Sequence, residues 1–271
     1  MTTWLTTIPV WLTIPLIALL WAAFGALAFL IFRLFVPPEK FQSHHDVLSA
    51  VVSVVGVLYS VVLAFLVGTV WTSFDAAQQT ADQEARYIVV AFDFAQGLPV
   101  PERVRIRRTL ARYALAVRDV EWPMLRLGKP DAHARDLLQD AVQTMLLTAP
   151  PSTNNAAKAL KEETIAGAVT QNLRDAGDDR VLRLTQARSR LPAVVFEALI
   201  EGALLLVICT FLFGMRPIAL QVTTTMLLCA SIGIFFGLIV DLNAPYAGPI
   251  RVSRDTWTRL IQTEDLQRFA R

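Results

Sequence analysis

The sequence predicts an all-α membrane protein in which four transmembrane helices carry a helical cytoplasmic domain inserted between spans 2 and 3. Three observations lead there. Of the 271 residues, 54% are hydrophobic, too many for an ordinary soluble chain. Residues 47–73, VLSAVVSVVGVLYSVVLAFLVGTVWTS, run for 27 positions without one charged side chain. Positions 74–190, by contrast, hold 17 of the 25 Lys and Arg and 15 of the 23 Asp and Glu. A helix in lipid satisfies its own backbone polar groups. At about 1.5 Å per residue the charge-free run makes a rod of roughly 40 Å, longer than the ~30 Å hydrocarbon core of a bilayer.

The expected division follows the apolar runs. Residues 1–73 hold spans 1 and 2, at about 10–36 and 47–73. Residues 74–190 form the cytoplasmic helical domain, 191–241 hold spans 3 and 4, and 242–271 are a cytoplasmic tail. Residues 1–9 carry no Lys or Arg, so the basic start of a secretory signal is missing. Pro37-Pro38 stops the first span, and His44-His45-Asp46 precede the second. These three are candidates for an outer mouth. The histidines can sense pH there, although solvated histidines are the plainer reading, and Asp46 also suits a helix start.

Within the second span Ser49, Ser53, Gly56, Ser60 and Ala64 share one arc. Such a seam admits a close neighbour or lines a water-filled path. Asp75, Gln78, Gln79, Asp82, Arg86 and Asp93 then recur at helical spacing, so the helix is expected to continue into water.

Two amphipathic helices follow: one opens at Pro101 and carries the apolar stripe Ile106, Leu110, Tyr113, Val117, Val120 and Met124, and the other carries Leu137, Leu138, Ala141, Val142 and Met145 before Pro150-Pro151. A third is expected from near Ser152 toward Leu184, with Gly167 and Gly177 as weak points. Arg174, Arg180, Arg183, Arg188 and Arg190 precede the third span and read as a basic collar at lipid headgroups. That span carries Glu197 and Glu201 one turn apart on one face. Ionisable groups at such depth face a bundle interior or water. In the fourth span Gly233 and Gly237 form a small-xxx-small pair.

The composition excludes much. A formal charge of +2 argues for no nucleic-acid partner, and Cys209 and Cys229 lie in apolar runs as buried thiols. No catalytic residue, metal site or cofactor motif is identified, so an enzyme is not expected. Lys and Arg near the span ends number nine on the side of the 74–190 block and three on the other. The block and both termini are therefore expected in the cytoplasm of a bacterium, with the spans in its inner membrane.

Three segments together resemble one family. HHDVLSAVVSVVGVLYSVVLAFLVGTVW, SRLPAVVFEALIEGALLLVICTFLFGMR and DLNAPYAGPIRVS occur in order and at similar spacing in the prokaryotic bestrophin-like domain family, catalogued as of unknown function. The resemblance covers roughly residues 40–260. Through the more distant bestrophins it implies a pentamer of identical subunits in the lipid bilayer, conducting inorganic ions, chiefly anions, along the second span. The bestrophin neck uses bulky apolar side chains one turn apart. Leu58-Val62-Leu66-Val70 and Val57-Val61-Phe65-Thr69 both have that spacing, and the sequence leaves the face open. In animal bestrophins an Asn-Pro-Phe-Gly element precedes an acidic run that holds calcium. Here Asn243-Ala244-Pro245-Tyr246-Ala247-Gly248 keeps the outline, but no carboxylate follows until Asp255, so calcium gating by that route is not expected. An oligomeric channel is the leading function. The alternatives are a membrane-anchored scaffold or signal-coupling protein, and a proton-coupled transducer using Glu201.

Overall fold

The computed structural model describes residues 10–36, 45–147, 155–212 and 217–262, with Leu266, Arg268 and Phe269. Every regular element among them is helical. They fall into two compact units. One comprises Met1–Phe74, Arg190–Ala244 and Gly248–Ile250, the other Asp75–Ser189, Pro245–Ala247 and Arg251–Arg271.

The first unit holds α1 (Val10–Phe35), the first part of α2 (His45–Phe94), α7 (Ala193–Phe211) and α8 (Ile218–Leu242). All four helices are long and apolar enough to cross a membrane. In lipid, helices gain little from hydrophobic burial against one another, so close packing must hold them together. Glycines supply it between α1 and α8. A Cβ built on Gly233 would lie 2.9 Å from Cβ of Trp21, and one on Gly237 would lie 3.2 Å from Cδ1 of Ile17. Trp21 also meets Phe236, with ring centroids 5.7 Å apart. Gly202 of α7 admits the Tyr59 ring of α2, and the Tyr59 hydroxyl donates to the Leu199 carbonyl at 3.2 Å. Gln221, buried at the start of α8, donates to the last carbonyls of α7 and accepts from Arg33 at 3.4 Å. Arg33, near the end of α1, thus has a protein partner.

The second unit contains the rest of α2, a 3₁₀ turn (Ala95–Gly97), α3 (Glu102–Ala116), a π-helical turn (Val117–Glu121), α4 (Trp122–Leu125), α5 (Ala132–Leu147), α6 (Ala156–Arg188) and α9 (Asp255–Gln262). Beside its polar residues, this part of α2 has a packing face rich in alanine: Ala77, Ala81, Ala85 and Ala91 are all buried, with Ile88 and Phe92. Side chains this small let other helices come close. The π turn ends just before Pro123, which has no N–H to offer the carbonyl four residues back.

Helix α6 runs unbroken for 33 residues, past both Gly167 and Gly177, and ends at Arg188 instead of near Leu184. Its buried positions are Val169, Leu173, Ala176, Arg180, Arg183 and Ala187, alternately four and three apart. Packing along that stripe outweighs the ~1 kcal/mol that each interior glycine costs. Asn155 caps its start, accepting from the Ala157 and Lys158 amides at 3.1 and 3.2 Å.

The glycine seam gives a direct test. Gly233→Val would drive a branched side chain into Trp21, and overpacking of this kind costs about 1–3 kcal/mol. The variant should melt well below the wild type in detergent. Gly68→Ala, where nothing lies within 4 Å of the added carbon, should not.

Candidate functional site

Two sets of residues stand out, one in each unit. In the first, the part of α2 within the apolar unit presents most of its circumference to the outside. Tyr59, Leu63, Leu66 and Val70 form its packing face, with Leu66 9% and Val70 2% exposed. Val57, Val61 and Phe65 are 62%, 61% and 74% exposed, and Thr69 continues their line. The packing divides the other stripe that the sequence offered: Leu58 and Val62 are exposed, while Leu66 and Val70 are interior. From Val57 to Phe65 the apolar line covers about 12 Å.

Hydroxyl groups follow. Thr69 donates to the Phe65 carbonyl at 2.9 Å, Thr72 to Gly68 at 2.7 Å and Ser73 to Thr69 at 2.9 Å. Each spends its proton on its own helix and leaves oxygen lone pairs outward. Of the small-residue arc, Ser49, Ser53, Ser60 and Ala64 are exposed, whereas Gly56 is half-buried, where a Cβ would lie 3.8 Å from Cδ1 of Leu206.

On α7, Glu197 and Glu201 are both exposed. Glu201 is the ninth residue of a 19-residue apolar helix, some 12 Å from its start at ~1.5 Å per residue. An ionisable group at that depth does not face lipid. Of the outer-mouth candidates, His44 lies outside the described residues, as do the side chains of His45 and Asp46.

In the second unit the core is ionic. Arg183 is fully buried; its Nε donates to Glu84 Oε2 at 2.5 Å, and its Nη2 donates to Glu84 Oε1 at 3.0 Å and to Glu121 Oε1 at 2.6 Å. Arg180 donates to Glu121 Oε2 and, at 2.9 Å, to the Asp131 carbonyl. The Tyr113 hydroxyl donates to Glu84 Oε1 at 2.5 Å. Burial, reinforced by the Glu84 carboxylate, keeps that phenol protonated far above its usual range. Two cations and two carboxylates therefore balance inside α2, α3, the π turn and α6.

This overturns the collar reading for Arg180 and Arg183, which touch no headgroup. Arg174, Arg188 and Arg190 remain exposed. The sequence gives no sign of Glu84 and Glu121, and it shows Tyr113 only as part of an apolar stripe. The available signal was the place of both arginines on the buried stripe of α6, where an unpaired charge would be untenable.

After α8, Asn243 accepts from the Leu191 amide at 2.7 Å. Gly248 sits in a turn where a Cβ would lie 2.8 Å from the Asp241 carbonyl oxygen, so only glycine fits. The Tyr246 hydroxyl donates to the Ala77 carbonyl of α2 at 3.1 Å. Among the described residues no three His, Cys, Asp or Glu side chains gather as metal ligands.

A family profile, the Bestrophin-like domain, matches residues 19–257. The chain belongs to the bestrophin-like family. Solved structures support the same fold. Two are variants of a bacterial bestrophin homolog from Klebsiella pneumoniae. The first has TM-score 0.66 and 13% identity, over 93% of this chain and 95% of that one. The second has TM-score 0.62 and 12% identity, over 94% and 99%. A third, described as a membrane protein, gives 0.59 at 11% identity over 92% and 98%. No curated protein matches this bestrophin-like chain.

The ionic core of this family member can be tested by removing its centre. Arg183→Met leaves Glu84 and Glu121 short of a partner, and breaking a buried ion pair costs about 3–5 kcal/mol. Adding Glu84→Gln should recover part of that loss. Denaturant unfolding of the single and double variants measures the coupling, and strictly additive losses would show that the two side chains act independently.

Proposed function

We propose that this chain is one subunit of a homo-oligomeric ion channel of the bacterial inner membrane, pentameric and chiefly anion-conducting, with copies of α2 around the pore. The observation that carries the reading is the exposed Val57-Val61-Phe65 line, followed by the hydroxyls of Thr69, Thr72 and Ser73, on the second apolar span of a bestrophin-like chain. Ringed by copies of itself, that line makes an apolar constriction some two turns long. Water and ions leave a tight apolar constriction, so it gates by dewetting. Leu58 and Val62 then meet the next subunit, and Leu66 and Val70 hold α2 to its own bundle. Exposed Glu197 and Glu201 fit an assembly in which another copy or a water path covers α7. Anion preference follows from the likeness to bestrophins, and the role is conduction, not catalysis. Glu201 also favours a second reading, proton-coupled transduction, in which neutralising that carboxylate abolishes activity.

An alanine scan from Leu58 to Phe74, read as ion flux in liposomes together with oligomer size, separates these roles. Phe65→Ala should raise steady-state flux with the assembly intact. Leu66→Ala should instead cost roughly 2–5 kcal/mol of stability. Loss of assembled protein at every position, with no gain of flux anywhere, would refute the pore assignment. Glu201→Gln in the same assay should leave anion flux standing if α2 forms the path.

The 74–190 block and both termini are assigned to the cytoplasm. Arg180 and Arg183 are interior, and setting them aside leaves seven basic residues against three. A cysteine at exposed Lys129, in a background lacking Cys209 and Cys229, should resist an impermeant thiol reagent on intact cells. Ready labelling would reverse the topology.

A further inference from the structure

Three arginines of the second unit converge on one cleft of about 440 Å³ without a partner of their own. Arg126 follows α4, and Arg251 and Arg254 both precede α9; Trp122 and Tyr246, both buried, also line the cleft. All three arginines are exposed, and among the described residues none is hydrogen-bonded or ion-paired through its guanidinium. One carboxylate, Asp255, lines the same cleft, leaving its formal charge at +2. The other acid within electrostatic reach of Arg254 is Asp119, which Arg118 already holds at 2.6 Å.

The walls are pinned. Val252 N–H donates to the Pro245 carbonyl at 2.7 Å, Ser253 N–H to Gln78 Oε1 at 2.8 Å, and the Thr256 hydroxyl to Asp82 Oδ1 at 2.5 Å. The Trp122 and Tyr246 rings meet edge to face, with centroids 5.7 Å apart.

Like charges crowded into a preformed hollow repel, and a bound anion relieves them. Each guanidinium offers a planar fork of N–H donors that matches phosphate oxygens bidentately. A hollow of this size holds far more than a halide, and three separate forks suit an anion with several phosphate groups. From this geometry we infer that the Arg126-Arg251-Arg254 cleft is a binding site for a multiply phosphorylated anion, supplied either as a soluble polyphosphate ester or as a phosphorylated lipid headgroup. The inference does not depend on conduction.

Direct binding to the purified full-length chain tests it. Inorganic tripolyphosphate, titrated by calorimetry, should bind saturably at one site per chain. Arg126→Ala, Arg251→Ala and Arg254→Ala should each weaken it at least tenfold, the loss expected for a bidentate charge-assisted contact. Asp255→Asn removes the opposing charge and should tighten binding about threefold. A misfolded variant cannot produce that gain, so it also guards against losses caused by unfolding. The lipid source is tested in nanodiscs with and without phosphatidylinositol bisphosphate. Lipid-dependent protection from heat that the three arginine variants lose, without tripolyphosphate binding, would assign the headgroup as the ligand. Binding of neither probe, or binding indifferent to all four substitutions, overturns the site.

Discussion

Arg183 sits at full burial between Glu84 and Glu121, and most of what is ordered around it follows from that one placement. A guanidinium removed from water must find carboxylates on several of its donors or it destabilises the fold by several kcal/mol. Glu84 comes from α2 and Glu121 from the π turn, while Tyr113 of α3 fills an oxygen of Glu84 that Arg183 shares. Arg180, one turn earlier on α6, completes Glu121 and also holds the Asp131 carbonyl. Asp131 returns the contact, its N–H donating to Glu121 at 3.0 Å. A slip of any of these helices by one turn would strand a charge, so the network fixes their register more sharply than apolar packing would. The irregular turn at Val117–Glu121 belongs to the same constraint, because it is the element that carries Glu121.

The apolar unit is held by different means. Its helices meet through glycine and aromatic contacts, at Gly233 against Trp21 and at Gly202 against Tyr59. Phe29 and Phe32 both pack on Phe211, with centroids 5.6 and 5.5 Å apart. This suits a lipid setting, where apolar surface is cheap to expose and fit decides association. It also explains why so much of α2 can stay uncovered without unfolding the bundle. Uncovered carboxylates on α7 are another matter. They cannot rest in hydrocarbon, and a self-association that buries or wets them answers the same physical demand as a pore formed by α2.

The segment after α8 does structural work in this chain: Tyr246, Ser253 and Thr256 bond to Ala77, Gln78 and Asp82 of α2. The same segment carries Arg251 and Arg254, both exposed.

By itself the sequence determined the four apolar helices, the helical character of the charged block and the family. Each depends on length, periodicity or ordered motifs that a single strand of residues displays. It also determined that α2 continues beyond its charge-free run, because the three- and four-residue spacing persists through Asp75 and Asp82. The fate of Arg180 and Arg183 was not legible. Their carboxylates stand 59 to 99 positions away, and local pattern made them a collar at the membrane surface. Nor could spacing choose between Leu66 and Phe65. Both lie on a helix apolar on every side, where a moment has no direction, and only the contact with α7 through Tyr59 turned one inward and left the other out. Tertiary structure alone decided these points, because each depends on which residue arrives from elsewhere in the chain to satisfy a charge or fill a groove.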